Sequence, residues 1–116
     1  VNIEELRALC LALPGVTEDI KWGADLCFLV GEKMFCVTSI DPPHSVSFKV
    51  TDEEFDGMVA RPGIIPAPYM ARNKWVNVQE WSVLTDAEWN NYVKQSYGLV
   101  KAKLPKKTQK EIDAIV

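Results

Sequence analysis

Arginine, lysine, tyrosine and tryptophan crowd together between Arg61 and Trp81 as nowhere else in the chain, in the run RPGIIPAPYMARNKWVNVQEW. Cations interleaved with aromatic rings are the residue types that hold a phosphate and stack a base or another planar ring. Pro62, Pro66 and Pro68 stiffen the approach to them. Read as one strand, Lys74 to Trp81 turns Val76 and Val78 toward a core and Trp75, Asn77, Gln79 and Trp81 toward the other face. If that face is open, Trp75 and Trp81 form a platform, with Tyr69 and Arg72 arriving from the loop. If the loop prolines cover the rings, the same residues organise the fold instead. A bulge near Gln79 would redirect Trp81.

Catalytic constellations are missing by type and by spacing. His44 is the single histidine, too few for a multi-histidine metal site, and no nucleophile motif accompanies it. Gly23, Gly31, Gly57, Gly63 and Gly98 stand alone, so no phosphate-cradling loop is present. Glu18 and Asp19 are adjacent on an extended segment and point to opposite faces. A metal role would need Glu4, Glu5, Glu18 and Asp19 to form one exposed ridge. The acids at 52–54 fit a helix start better than a metal. The expectation is a protein that is not an enzyme, with no cofactor and no metal.

The charge balance qualifies the basic stretch. The chain carries 13 Lys/Arg against 16 Asp/Glu, a net charge of −3, which argues against wholesale coating of nucleic acid. The five cations Lys101, Lys103, Lys106, Lys107 and Lys110 fall within residues 101–110, beside no acid. A polyanion contact would use this tail or a local patch, although lysines also suit the carboxyl end of a helix. Cys10, Cys27 and Cys36 lack C-x-x-C spacing and sit in apolar segments, as buried thiols of a cytoplasmic protein do. No apolar run approaches a membrane span, and no signal peptide is visible.

The elements that must position these residues are readable in order. At 116 residues, with 47% hydrophobic and 25% charged residues, residues 1–116 are expected to form one domain with its own core. Asn2 caps a helix over Ile3–Leu13, stopped by Pro14-Gly15. A short strand is expected at Asp19–Gly23. Asp25–Val30 and Lys33–Ile40 follow as a hairpin whose Gly31-Glu32 turn suggests type II′. His44–Val50 alternates cleanly, with Val46, Phe48 and Val50 facing one way and Ser45, Ser47 and Lys49 the other. Thr51–Glu54 is a capping box for a helix over Asp52–Ala60, and Thr85–Glu88 opens a longer one over Asp86–Lys103. Along it Trp89, Tyr92, Val93, Tyr97, Val100 and Leu104 share a face. Thr108–Glu111 repeats the capping pattern before a terminal turn. The fold class expected is α+β, two-layer: an antiparallel meander sheet of about five strands with helices on one face, in the order helix, strands, helix, strand, helix.

The run PAPYMARNKWVNV (66–78) resembles the signature segment of the MmcQ/YjbR family of small bacterial proteins. LPGVTED (13–19), Trp22-Gly23, GEKMFC (31–36), SVSFKV (45–50) and SYGLVKAKLPKK (96–107) fit in the same order, so the resemblance spans nearly the whole chain. It implies a two-layer fold similar to that of frataxin-like proteins, and a DNA-binding label that rests on fold analogy. The signature falls on Pro66, Pro68, Tyr69, Trp75 and Lys49. The leading expectation is a binding module that engages DNA through the sheet face. Lys49, Arg72, Lys74 and Trp75 would serve as phosphate contacts and a stacking ring, joined by Lys101, Lys103, Lys106 and Lys107. The alternative is a protein- or small-ligand-binding domain with a pocket around Tyr69 and Trp75, under the proline-rich loop. A concave apolar site with few cations favours the second, and a convex basic ridge the first.

Overall fold

Asn2 Oδ1 accepts the Glu5 backbone amide at 2.8 Å and so starts α1 (Ile3–Leu11). The computed structural model describes residues 1–68 and 70–115. Strands β1 (Val16–Lys21), β2 (Asp25–Val30), β3 (Lys33–Ser39) and β4 (Val46–Lys49) follow, then α2 (Asp52–Val59), β5 (Ile64–Pro66), β6 (Trp75–Val78), α3 (Asp86–Lys101) and α4 (Lys106–Asp113). The six strands form one antiparallel sheet in the order β1-β2-β3-β4-β6-β5. The class is the α+β arrangement expected, with one strand more. The extra strand is β5, three residues inside the stretch read as a proline-rich loop. β6 offers it a free row of peptide groups, and Pro66 is tolerated because β5 is an edge.

Both capping boxes form, with Thr51 and Glu54 opening α2 and Thr85 and Glu88 opening α3. Four local readings need correction. β1 runs over Val16–Lys21 rather than Asp19–Gly23, because an edge strand exposes one row of polar side chains and hides its own period. Gly31 and Glu32 both have positive φ, 56° and 68°, so the β2–β3 turn is of type I′ and not II′. α4 begins at Lys106 directly after Pro105 and has no side-chain cap, so Thr108 lies within the helix. Lys106 and Lys107 therefore sit in its first turn, where the macrodipole disfavours cations. Of the five lysines at 101–110, Lys101 and Lys110 occupy the last turn of a helix.

One face of the sheet is the core. Phe28, Val30, Cys36, Val46, Phe48, Val76 and Val78 pack against Leu6 and Cys10 of α1, Met58 of α2, and Trp89, Val93 and Tyr97 of α3. The rings interlock: Phe48 lies 6.3 Å from Trp89, edge to face, and 5.8 Å from Tyr92, stacked. Phe35 meets Tyr97 edge-on at 5.5 Å. It is the extra residue of a β-bulge, since Phe28 faces Cys36 while Leu29 faces Met34. The three cysteines are buried free thiols. Among the described residues no helix is long and apolar enough to cross a membrane.

Candidate functional site

Strand alternation assigns the residues of the face turned away from the core. Cys27, Val37, Ser47 and Asn77 are direct cross-strand partners running from β2 to β6. Asp25 and Ser39 form the adjacent row, which Ser45 continues. Over this floor stand two walls. Trp22 rises from the β1–β2 turn, and Pro68 and Met70 come from the loop after β5. Together they enclose a cleft of about 520 Å³, within the range of small-molecule sites.

The cleft is polar at its centre and apolar at its rim. Asn77 Nδ2 donates to Ser47 Oγ at 2.9 Å and to Ser45 Oγ at 3.2 Å. Each serine oxygen thus has a donor already and keeps its own O–H free to donate elsewhere. The Ser39 hydroxyl is committed to the Asp41 and Pro43 carbonyls, 3.0 and 3.1 Å away. Among the described residues no lysine, arginine or histidine lines the cleft. Cys27 is buried beside it, and burial raises its thiol pKa, so the group stays protonated and unreactive.

The expected site residues do not gather on that face as one surface. Lys49, Trp75 and Lys103 meet instead at the end of the sheet. There, with Lys33, Met34, Asn73, Val100 and Leu104, they line a shallower hollow of about 360 Å³. Trp75 is the cross-strand partner of Lys49 and only 6% exposed. It cannot act as an open stacking ring. The Lys49 ammonium donates to the Asn73 carbonyl, and burial, followed by the Lys103 charge, lowers its pKa. Arg72 is exposed on the 3-10 turn Ala71–Asn73. Lys74 adopts a left-handed conformation and lays its ammonium 5.0 Å from the centre of the Phe55 ring. Lys101 is ion-paired with Asp113, whereas Lys106 and Lys107 are exposed on α4. Tyr69 lies outside the described residues.

The platform of Trp75 and Trp81 does not form. β6 ends at Val78, and Trp81 turns in a 3-10 helix (Trp81–Val83) back toward the core. There its carbonyl accepts the Trp89 indole N–H at 2.9 Å, and the two rings lie 5.4 Å apart. His44 is 6.1 Å from Trp81, and its Nδ1 donates to the Ser39 carbonyl at 2.7 Å. Glu18 is held by Arg7 through two hydrogen bonds of 2.8 and 2.6 Å, which lower its pKa. Among the described residues no group of three or more His, Cys, Asp or Glu side chains is placed to hold a metal.

Sequence reasoning missed Trp22, Asp25 and Met70 as site residues. The alternation of His44–Val50 puts Ser45 and Ser47 on the open face. Asn77 was placed there by the same argument. Trp22 stands beside Gly23 in a pair that carried a resemblance but no assigned role, and nothing local says that it overhangs a cleft.

A model of the family described as YjbR matches residues 11–99. Among solved structures, the chain is similar to the Deinococcus radiodurans protein DR2400, which has a DUF419 domain. The two are 27% identical with a TM-score of 0.87, over 97% of this chain and 88% of that one. A Pseudomonas syringae protein solved by the Northeast Structural Genomics Consortium is 18% identical with a TM-score of 0.71, over 85% of this chain and 98% of that one. At that identity the likeness shows the fold alone. No curated protein matches the chain.

Proposed function

The chain belongs to the YjbR family, and from that premise we propose that it is a non-enzymatic binding module that takes a small ligand in the cleft on its open sheet face. One observation carries the reading: the cleft is concave, about 520 Å³, walled by Trp22, Pro68 and Met70, and free of cations among its described lining residues. Concavity with few convergent polar groups is what a small-molecule site requires. The proline-rich loop contributes a wall through Pro68 and Met70, whereas Trp75 belongs to the other hollow. Three buried thiols support a cytoplasmic setting.

The second reading, contact with DNA, moves from the sheet face to the basic corner. Lys33, Lys49 and Lys103 converge there with no carboxylate among the described lining residues. A phosphate backbone would relieve that repulsion. Titration of isotope-labelled protein separates the two by NMR. Benzyl alcohol is expected to move the amides of Val37, Ser47 and Asn77, and Ser47→Trp, which fills the floor, is expected to abolish the response. A short DNA duplex that moves those same amides, with affinity falling steeply as salt rises, would replace the cleft reading with the DNA one. No response to benzyl alcohol at the cleft would also overturn it.

A further inference from the structure

The largest apolar side chain left open in the described structure is not in the basic stretch. Trp22 is 74% exposed and has φ of +52°, a conformation that bulky residues rarely adopt. Gly23 follows with φ of +84°, and a Cβ there would meet nothing within 4 Å. The glycine therefore serves the backbone angle and not a tight fit. Two consecutive left-handed residues make a turn that holds an indole out at the mouth of the cleft. Backbone strain of this kind concentrates at ligand-binding positions.

Three residues further on, Asp25 begins β2 and lines the same cleft. It forms no ion pair among the described residues. Its cross-strand partner is Lys21, and Asp19 occupies the next row of the same face, so this end of the face carries two carboxylates against one ammonium. At the centre of the floor Asn77 spends its N–H groups on Ser45 and Ser47, and no described group donates to its Oδ1. The site thus offers an indole ring, a carboxylate and an amide oxygen, with no cation among its described lining residues.

Resting on the cleft reading above, we infer that the ligand is a small organic cation: a protonated or quaternary amine on an apolar body. An anion would meet Asp25 at an end of the face where Asp19 and Asp25 outweigh the single ammonium of Lys21. A neutral apolar ligand would strip water from Asp25 and leave it unpaired. A cation meets both the carboxylate and the ring quadrupole of Trp22.

The test titrates choline, and the neutral analogue in which carbon replaces its nitrogen, into isotope-labelled protein. NMR reports the amides of Val37, Ser47 and Asn77. Choline is expected to bind tighter than the neutral analogue by about fivefold, the scale of an exposed cation–π contact. Asp25→Asn and Trp22→Asn are each expected to reduce that preference. Asparagine at position 22 tolerates the left-handed backbone, so the ring is lost without the turn. Unchanged Val76 and Val93 amide shifts report an intact core. Equal affinities for the two compounds would overturn the cationic class and leave the cleft standing. Shifts from neither compound would overturn both readings, and choline shifts confined to the Lys33–Lys103 corner would do the same.

Discussion

Removing one hydroxyl, in Ser96→Ala, tests how the longest helix is fastened to the sheet. Ser96 is fully buried on α3. Its Oγ donates to the Phe35 carbonyl at 2.6 Å and accepts the Lys49 backbone N–H at 2.9 Å. A single side chain thus ties the β3 bulge and the end of β4 to the helix. Alanine leaves both backbone groups without a partner. A buried orphan costs about 1–3 kcal/mol. The Phe35 site is dry, so its carbonyl carries the upper part of that range. Lys49 is only half-buried, so water reaches its N–H and the second cost falls toward the lower end. The expected loss is about 2–4 kcal/mol, a large share of the ~5–15 kcal/mol that holds a domain together. Urea unfolding measures it, as a drop of roughly 1–2 M in midpoint at unchanged slope. A loss under about 0.5 kcal/mol, the scale of a neutral surface substitution, would refute the reasoning. The same variant frees the end of β4, so the Lys49 amide resonance should shift well beyond those of β1.

Three further outcomes follow from particular residues. Gly63→Ala would force a Cβ to within 2.5 Å of Val83 Cγ2 at a φ of +87°, so thermal or urea unfolding should show a loss of about 1–3 kcal/mol. Arg61, followed by the Thr85 backbone amide, holds the Glu88 carboxyl down at about 2, from an ordinary value of 4.5. A depressed folded pKa gives stability that is complete above 4.5 and is lost as pH falls toward 2. Glu88→Gln should flatten the acid limb in that window, and it should cost only about 1 kcal/mol at neutral pH because solvent screens a partly exposed pair. Trp22→Asn should remove most of the acrylamide-quenchable, red-shifted fluorescence, since Trp75 and Trp89 are 6% and 0% exposed and Trp81 is half-buried against the Trp89 ring. Retention of that emission would show that a different tryptophan is open.

What the sequence determined by itself is what short-range physics controls. Thr51 with Glu54, and Thr85 with Glu88, cap their helices because both partners lie within one turn. Gly31-Glu32 makes a hairpin because its neighbours are apolar strands, and the alternation of Val46 and Phe48 with Ser45 and Ser47 assigns faces before any partner is known. The family was legible for a similar reason, in motifs spread along most of the chain. The tertiary structure decided which rings are open. Trp75 and Trp22 both border turns, yet one is covered at the sheet end and the other is left in water. Nothing within a few residues of either distinguishes them, because the cover comes from remote segments. Ile64–Pro66 is a strand only because β6 has a free edge beside it. Lys49 and Lys103 share a hollow although 54 residues separate them in the chain. The basic, aromatic stretch was therefore a sound guide to the fold and a poor guide to which rings are open. Its loop supplies one wall of the cleft, and the opposite wall is a tryptophan from the β1–β2 turn.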